Sequence, residues 1–278
     1  MTASASYVRR ERVRHQLGVR TMTVTEVRDL GPQMRRISFT GPMDDFVSEG
    51  PGDHLKAFFP DPGTGVLNAP RIVDGTLERP AGPVISRDYT PLVREDGVLE
   101  LDFVIHGDDG PASRWASSAA AGDTLVLAGP RGSHLVPTEV DRYVIGGDET
   151  ALPAISRWLR ALAPDVPVTV LIEVNDAADE SYPLALEGAG RTVQWLHRAT
   201  AAPGSTTLLD EAVRALDAQD GTVFWWFGGE SASLIPVRRY LRRELGLDKT
   251  AVDISGYWKR GAAEHDHHAP VDPGDPDE

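Results

Sequence analysis

Short runs of alternating apolar and polar residues, divided by Gly, Pro and Asp, fill the first half of the chain: "VRTMTVTEVRD", "MRRISFTG", "HLKAFFP", "VLELDFVIHG" and "DTLVLAGP". Alternation with a period of two is the mark of half-buried strands, so these runs predict five or six antiparallel strands, the pattern of a small β-barrel. The stretch from Pro60 to Pro83 is too long and too rich in Pro and Gly for an ordinary connector, which predicts a surface loop that is either functional or mobile.

Near residue 140 the texture changes. "RYVIGG", "VPVTVLIEV", "TVQWLHRA" and "GTVFWWFGG" are continuous apolar runs that read as buried strands, and Leu152, Ile155, Leu159 and Leu162 mark one helix face between the first two. This half predicts an α/β domain with a parallel sheet. Farther on, Leu234, Val237, Leu241 and Leu245 form another apolar face, with Arg238, Arg239, Arg242 and Arg243 opposite as a solvated surface.

A chain of 278 residues that is 41% hydrophobic and 25% charged can build a sizeable core, and its length favours two domains. No stretch approaches the roughly 20 apolar residues of a membrane span, and the opening "MTASASYVRRERVRHQLGVR" lacks the apolar core of a signal peptide, so a cytoplasmic location is expected. With no cysteine, thiolate nucleophiles and cysteine-ligated clusters are excluded, and redox chemistry needs a bound organic cofactor or a metal held by other ligands. The net charge of −14 argues against nucleic acid as a partner. Residues 264–278 hold six acids and no Lys or Arg, and read as a disordered tail. His265, His267 and His268 could bind a metal there, or simply lie in an exposed flexible segment. Arg9, Arg10, Arg12 and Arg14 read as a solvated helix face or a contact with an anionic partner.

Three stretches of the barrel half are candidate contacts: "RDYT" (87–90), "HGDDGPASRWA" (106–116) and "GPRG" (129–132). In a strand Arg87 and Tyr89 share one side while Thr90 points to the other, which suits a flat phosphorylated ligand or, equally, an ordinary edge strand. Gly107 and Gly110 allow a tight turn, and Pro111-Ala112-Ser113 would open a helix carrying Trp115, whose first N–H groups can receive a pyrophosphate. Turns leading into helices are common, so the bare pattern leaves both an anion site and a plain helix start open.

In the α/β half, "VIGGDETALPAI" and "FWWFGGESASLIP" each read as strand, Gly-Gly, helix, at the strand ends where open α/β sheets bind ligands. Neither is a G-x-G-x-x-G fingerprint. Asp148, Glu149 and Glu230 would cap the helices but repel a pyrophosphate, so these turns suit another part of a ligand than its phosphates, or are acidic caps with no ligand.

Taken in order, "SRDYTP", "HGDDGPASRWA", "GPRG", "GGDETALPAI", "FGGES" and "SGYWKRG" resemble the siderophore-interacting proteins, FAD-containing ferric-siderophore reductases of the ferredoxin–NADP reductase superfamily, over about residues 16 to 263. The resemblance implies an FAD-binding β-barrel over 1–139 and an NAD(P)H-binding α/β domain over 140–263, with Gly147, Asp148, Glu149, Thr150 and Glu230 assigned to the nicotinamide and ribose, and leaves the acidic tail of 264–278 outside it. It implies that Arg87 pairs with the flavin pyrophosphate, that Tyr89 packs on the isoalloxazine and that Thr90 places a hydroxyl near its reactive edge. His106 would stand beside the flavin or be a hydrogen-bonded turn residue, while Gly110, Ala112 and Ser113 would contact the FAD phosphates. The family's usual arginine just after the Tyr-Thr pair is replaced by Pro91 and Leu92, with Arg94 the next candidate. Of three lysines, Lys56 and Lys259 match family lysines near a siderophore site, joined by Arg131 and Arg260; Lys249 reads as surface.

The implied activity passes electrons from NADH or NADPH through FAD to a ferric siderophore, with a reduced ferredoxin as a possible alternative donor and no ligated metal. Two other readings stand: the same fold with a quinone or free flavin as acceptor, and a siderophore-binding module without catalysis.

Overall fold

The computed structural model describes residues 7–105, 110–188, 190–217, 220–262, 265–266 and 269–275. It divides into two units: residues 12–135, and residues 136 onward together with those before 12.

The first unit runs β1 (Arg12–Arg14), β2 (Val19–Gly31), β3 (Met34–Thr40), β4 (Leu55–Phe59), β5 (Arg71–Val73), β6 (Thr76–Glu78), β7 (Ile85–Tyr89), β8 (Leu92–Val93), β9 (Leu99–Val104), α1 (Pro111–Ser118), β10 (Thr124–Ala128) and β11 (Gly132–His134). Seven strands pair antiparallel in the order β7-β4-β10-β2-β3-β9-β8, the antiparallel sheet of the expected barrel domain. Alternation divides its faces. Leu55, Ala57 and Phe59 of β4 and Leu99, Leu101 and Phe103 of β9 point inward to one buried apolar cluster, which α1 closes with Ala112 and Ala116. On the outer face Arg36 stands opposite Asp102 and makes a buried bidentate pair with it at 2.6 and 2.7 Å. Fully engaged on both sides, that pair keeps its charges bonded where water is excluded.

The Pro60–Pro83 stretch, expected as a loop, carries the exposed hairpin β5–β6. Its two-residue turn is Asp74-Gly75, both with positive φ (49° and 74°), the twist that joins adjacent antiparallel strands. The Asp-Gly pair was the overlooked signal.

The second unit contains β12 (Arg142–Asp148), α2 (Leu152–Ala161), β13 (Val168–Val174), β14 (Arg191–His197), α3 (Leu208–Arg214), β15 (Val223–Glu230), α4 (Ser231–Arg239) and β16 (Val252–Trp258). Its five strands are all parallel, in the order β14-β13-β12-β15-β16. The expected α/β domain is therefore present, with β16 added at one edge where the apolar pattern is interrupted by Asp253 and Ser255.

Three sequence expectations need correction. The opening arginines form no helix: Arg12–Arg14 is a strand paired with β11, and Arg10 lies over the rings of Trp158 and Phe224 (5.4 and 5.5 Å to the centroids) while pairing with Asp253. A planar guanidinium gains both a carboxylate and two aromatic faces there. Leu245 is 45% exposed, not buried, because the backbone widens into a π-turn over Tyr240–Glu244 and rotates the following residue off the apolar stripe.

The disordered tail is the third. Residues 269–275 dock on α4: Val271 is 5% exposed within the core cluster, Asp272 accepts two hydrogen bonds from Arg239 at 2.6 and 3.0 Å, and Asp275 pairs with Arg238 and Arg243. Arg238, expected to be solvated, is 4% exposed. The acids of the tail are thus the counter-charges of the helix arginines, a match over some 35 residues of chain that composition cannot reveal. His267 and His268 lie outside the described residues.

Candidate functional site

In the first unit the elements converge on the inner face of β7. Antiparallel register sets Ile85, Arg87 and Tyr89 opposite Phe59, Ala57 and Leu55, so all six side chains share that face. Tyr89 packs against Phe103 at 4.4 Å between centroids and Phe59 at 6.2 Å. Trp115 of α1 completes the aromatic group, 5.8 Å from both Phe59 and Phe103 and stacked on Phe39 at 6.4 Å. Burial raises the Tyr89 phenol above its ordinary range, so it stays neutral. Arg87 sits between Ile85 and Tyr89, half-buried, with Nη1 donating to the Ser86 carbonyl at 2.7 Å. Thr90, just beyond the strand, is buried. β7 is an edge strand, paired on one side only, and all five of its residues are half-exposed. "SRDYTP" thus contains an edge strand, with Arg87 and Tyr89 on its inward face.

α1 packs on the same face. Its N-cap is Gly110, which has no side chain to cap it, and its first turn holds no acidic residue. Ala112 and Ser113 are buried there. A helix start with glycine at its cap, on the sheet face that carries a guanidinium and an aromatic ring, fits a flavin nucleotide, which has both a pyrophosphate and a flat ring system. His106 lies outside the described residues. Arg94 turns elsewhere: its guanidinium is 2.6 Å from Asp96 and 3.7 Å from Glu100.

Register puts Lys56 on the opposite face, paired with Asp88 at 2.9 Å. It does not share a face with Arg87 and Tyr89. Arg131 is exposed just before β11.

In the second unit, the ends of β12 and β15 meet through glycine. A Cβ on Gly147 (φ 157°) would stand 1.9 Å from the Gly228 carbonyl oxygen, and one on Gly229 (φ 148°) would stand 2.8 Å from the Asp148 carboxylate. This close approach lets Asp148 reach across β15 to β16. It accepts from the Glu230 N–H at 2.9 Å, from Trp258 Nε1 at 2.8 Å and from the Thr150 N–H at 2.9 Å, with the Thr150 hydroxyl on the same oxygen. Glu230 caps α4 through the Ser233 N–H (2.7 Å) and accepts from the Arg260 N–H (2.9 Å). Glu149 is buried and clamped by Arg198 through two bonds of 2.7 Å. The acids assigned to the nicotinamide and ribose thus all have partners inside the protein, and with Gly147 and Gly229 they form a hydrogen-bonded floor at the strand ends. Lys259 and the Arg260 side chain are exposed just past β16. Sequence reading missed Trp258 and Arg198, whose partners lie 110 and 49 residues away; His265, read as a metal candidate or an exposed tail residue, has its Nε2 2.8 Å from Ser231 Oγ at the start of α4. Among the described residues no three side chains of metal-ligating type cluster.

Burial, then the neighbouring Glu149, pushes Asp148 up to about 6. A carboxyl whose pKa is higher in the folded than in the unfolded state contributes stability that is complete below the unfolded value and is lost as pH rises through the folded one. Denaturant melts between pH 4 and 7 are therefore expected to fall in stability with rising pH, less steeply in Asp148→Asn, which cannot ionise. Equal slopes in the two proteins would show that Asp148 is ionised throughout.

Residues 23–134 match the siderophore-interacting FAD-binding domain and residues 140–261 the siderophore-interacting protein domain. The chain belongs to the siderophore-interacting protein family. Its curated relatives include the NADPH-dependent ferric-chelate reductase of Escherichia coli, 34% identical over 254 residues that cover 89% of this chain and 96% of that protein. Another is the ferric vibriobactin reductase ViuB of Vibrio cholerae, 30% identical over 84% of this chain and 86% of that one. Among solved structures, a siderophore utilization protein from T. fusca superposes with a TM-score of 0.87 at 39% identity, covering 94% of this chain and all of that one. A flavohemoglobin from Malassezia yamatoensis and the cytochrome b5 reductase domain of Ulva prolifera nitrate reductase, at 13% and 16% identity, share the fold.

Proposed function

We propose that this chain is a flavin-dependent reductase of ferric siderophores, with NAD(P)H as donor and Fe(III) in its chelate as substrate. The observation that carries the reading is the inner face of β7, where Arg87 and Tyr89 share a surface with the glycine-headed start of α1, inside a domain of the FAD-binding family. Bound FAD would take electrons from the nicotinamide as a pair and release them one at a time, the coupling a one-electron metal substrate needs.

The residues' work is holding and shielding. Arg87 and the N–H groups of Ala112 and Ser113 would hold the pyrophosphate, and Tyr89 would give the isoalloxazine a neutral aromatic surface with Thr90 at its edge. In the other unit, the floor at Gly147, Asp148, Thr150 and Glu230 would carry the nicotinamide and ribose. A siderophore binds Fe(III) through hard oxygen donors, so reduction to Fe(II) weakens the complex and releases the metal, and no protein ligand to iron is required. We place the reaction in the cytoplasm, consistent with a cysteine-free chain and with no helix among the described residues long and apolar enough to cross a membrane. A reduced ferredoxin as alternative donor belongs to the same proposal.

The protein as purified is expected to be yellow and to bleach anaerobically with NADH or NADPH. It should then release iron from a ferric siderophore to an Fe(II) chelator. Colourless protein would favour a binding module, and bleaching without iron release would favour another acceptor such as a quinone or free flavin.

For an anionic chelate the exposed basic residues matter unequally. Asp88 offsets the charge of Lys56, whereas Lys259 is exposed, with no carboxylate paired to it among the described residues. Lys259→Ala is expected to raise KM for an anionic ferric siderophore more than Lys56→Ala does, with a defect that shrinks at high ionic strength as exposed charges are screened. An unchanged KM in Lys259→Ala at low salt would remove it from substrate recognition.

A further inference from the structure

In the sheet order β14-β13-β12-β15-β16 the direction of winding reverses between β12 and β15. In such sheets the adenosine ribose of a dinucleotide lies near the end of the strand after the first, where a carboxylate suits a 2′-hydroxyl and an arginine suits a 2′-phosphate. That strand is β13. Its penultimate residue is the buried Glu173, and Asp176, Asp179 and Glu180 follow it.

From residue 174 to 207 the sequence holds no lysine and two arginines. Arg191 opens β14, at the opposite edge of the sheet, and bonds to the carbonyls of Ala185 and Leu162. Arg198 is at the right edge, but its side chain is 1% exposed, both its terminal nitrogens are held by Glu149 at 2.7 Å, and Glu173 stands 3.9 Å away. His197 Nε2 is 2.8 Å from a Glu180 carboxylate oxygen. Both basic side chains at this edge are thus met by a carboxylate, and the acids are in excess. A phosphate carrying about two negative charges would meet that excess, with the nearest guanidinium already committed. A 2′-hydroxyl could instead donate to a carboxylate.

We propose that the Glu149–Arg198 clamp, with Glu173 and the acids after β13, makes this chain select NADH over NADPH. Glu149 acts here through Arg198, as a positioning residue. The inference rests on the nicotinamide-donor reading above and refines it.

The test is calorimetric titration of the flavin-loaded protein with NAD+ and with NADP+ at low salt. NAD+ is expected to bind at least about tenfold more tightly. Glu149→Gln, which removes a charge and loosens the clamp, should move the affinity ratio toward NADP+. Because that variant disturbs a buried pair, a second one, Asp176→Asn with Glu180→Gln, removes exposed charge only and keeps a residue suited to the cap at 176; it should narrow the ratio as well. NADP+ binding as tightly as NAD+ to the unmodified protein would overturn the proposal while leaving the donor reading intact, and so would a ratio unmoved in both variants. Binding of neither dinucleotide would overturn both.

Discussion

Arg87→Ala is expected to weaken FAD binding by about tenfold to a hundredfold, since a charge-assisted contact to a phosphate contributes roughly 1.5 to 3 kcal/mol. The guanidinium lies on the inner face of β7, between Ile85 and Tyr89, on the side of the sheet that α1 covers. Its loss should act on flavin affinity more than on folding, because the side chain is half-buried on an edge strand and not part of the apolar core. Titration of flavin-free protein with FAD measures the change. Arg94→Ala is the control: with its guanidinium turned to Asp96 and Glu100, it should leave FAD affinity unaltered. Wild-type affinity in Arg87→Ala would sink the role assigned to Arg87; a defect of similar size in Arg94→Ala would mean that the phosphate contact lies there instead.

Removing residues 269–278 should destabilise the α/β unit. Val271 is buried in its core cluster, which is worth roughly 1.5 to 3 kcal/mol for an aliphatic side chain. Asp272 and Asp275 supply carboxylates to Arg238, Arg239 and Arg243, so their removal leaves α4 with clustered positive charge. At about 2 to 4 °C per kcal/mol, the thermal transition of that unit should drop by roughly 5 °C or more. The same contacts carry a pH signature. Hydrogen bonds from Arg243 and Arg238 hold Asp275 below the usual carboxylate range, and Arg239 does the same for Asp272. Carboxyls with a lowered folded-state pKa contribute stability above their unfolded value near 3.8, and that share is lost as pH falls through the folded one. The truncated and full-length proteins should therefore converge in stability in strong acid, apart from the share due to Val271. A truncated chain that melts at the full-length temperature near neutral pH would show that the docked segment contributes nothing.

The order and type of the elements could be read from the sequence because each depends on local periodicity. A period of two needs only the pleat of one strand, and the apolar runs after residue 140 need only a sheet covered on both faces. The placing of Arg87 and Tyr89 on one face followed from the same alternation, and register has borne it out. The β5–β6 hairpin was legible too, in Asp74-Gly75, but was outweighed by the Pro and Gly around it. What these residues bind was a different matter: it came from several motifs in order, since each alone fits an ordinary edge strand or helix start.

The tertiary structure decided where charges find their partners. Arg198 and Glu149, Trp258 and Asp148, and the tail acids with the arginines of α4 are separated by about 30 to 110 residues, and each looks like a surface or capping residue in its own neighbourhood. Lys56 could be placed in a strand from sequence, but its pairing with Asp88, and so the loss of much of its charge to a substrate, depends on β4 lying beside β7. Periodicity is a property of a segment and survives without the rest of the chain. A charge pair is a property of two segments, and its energy exists only after folding has brought them within a few ångströms in a place where water no longer screens them.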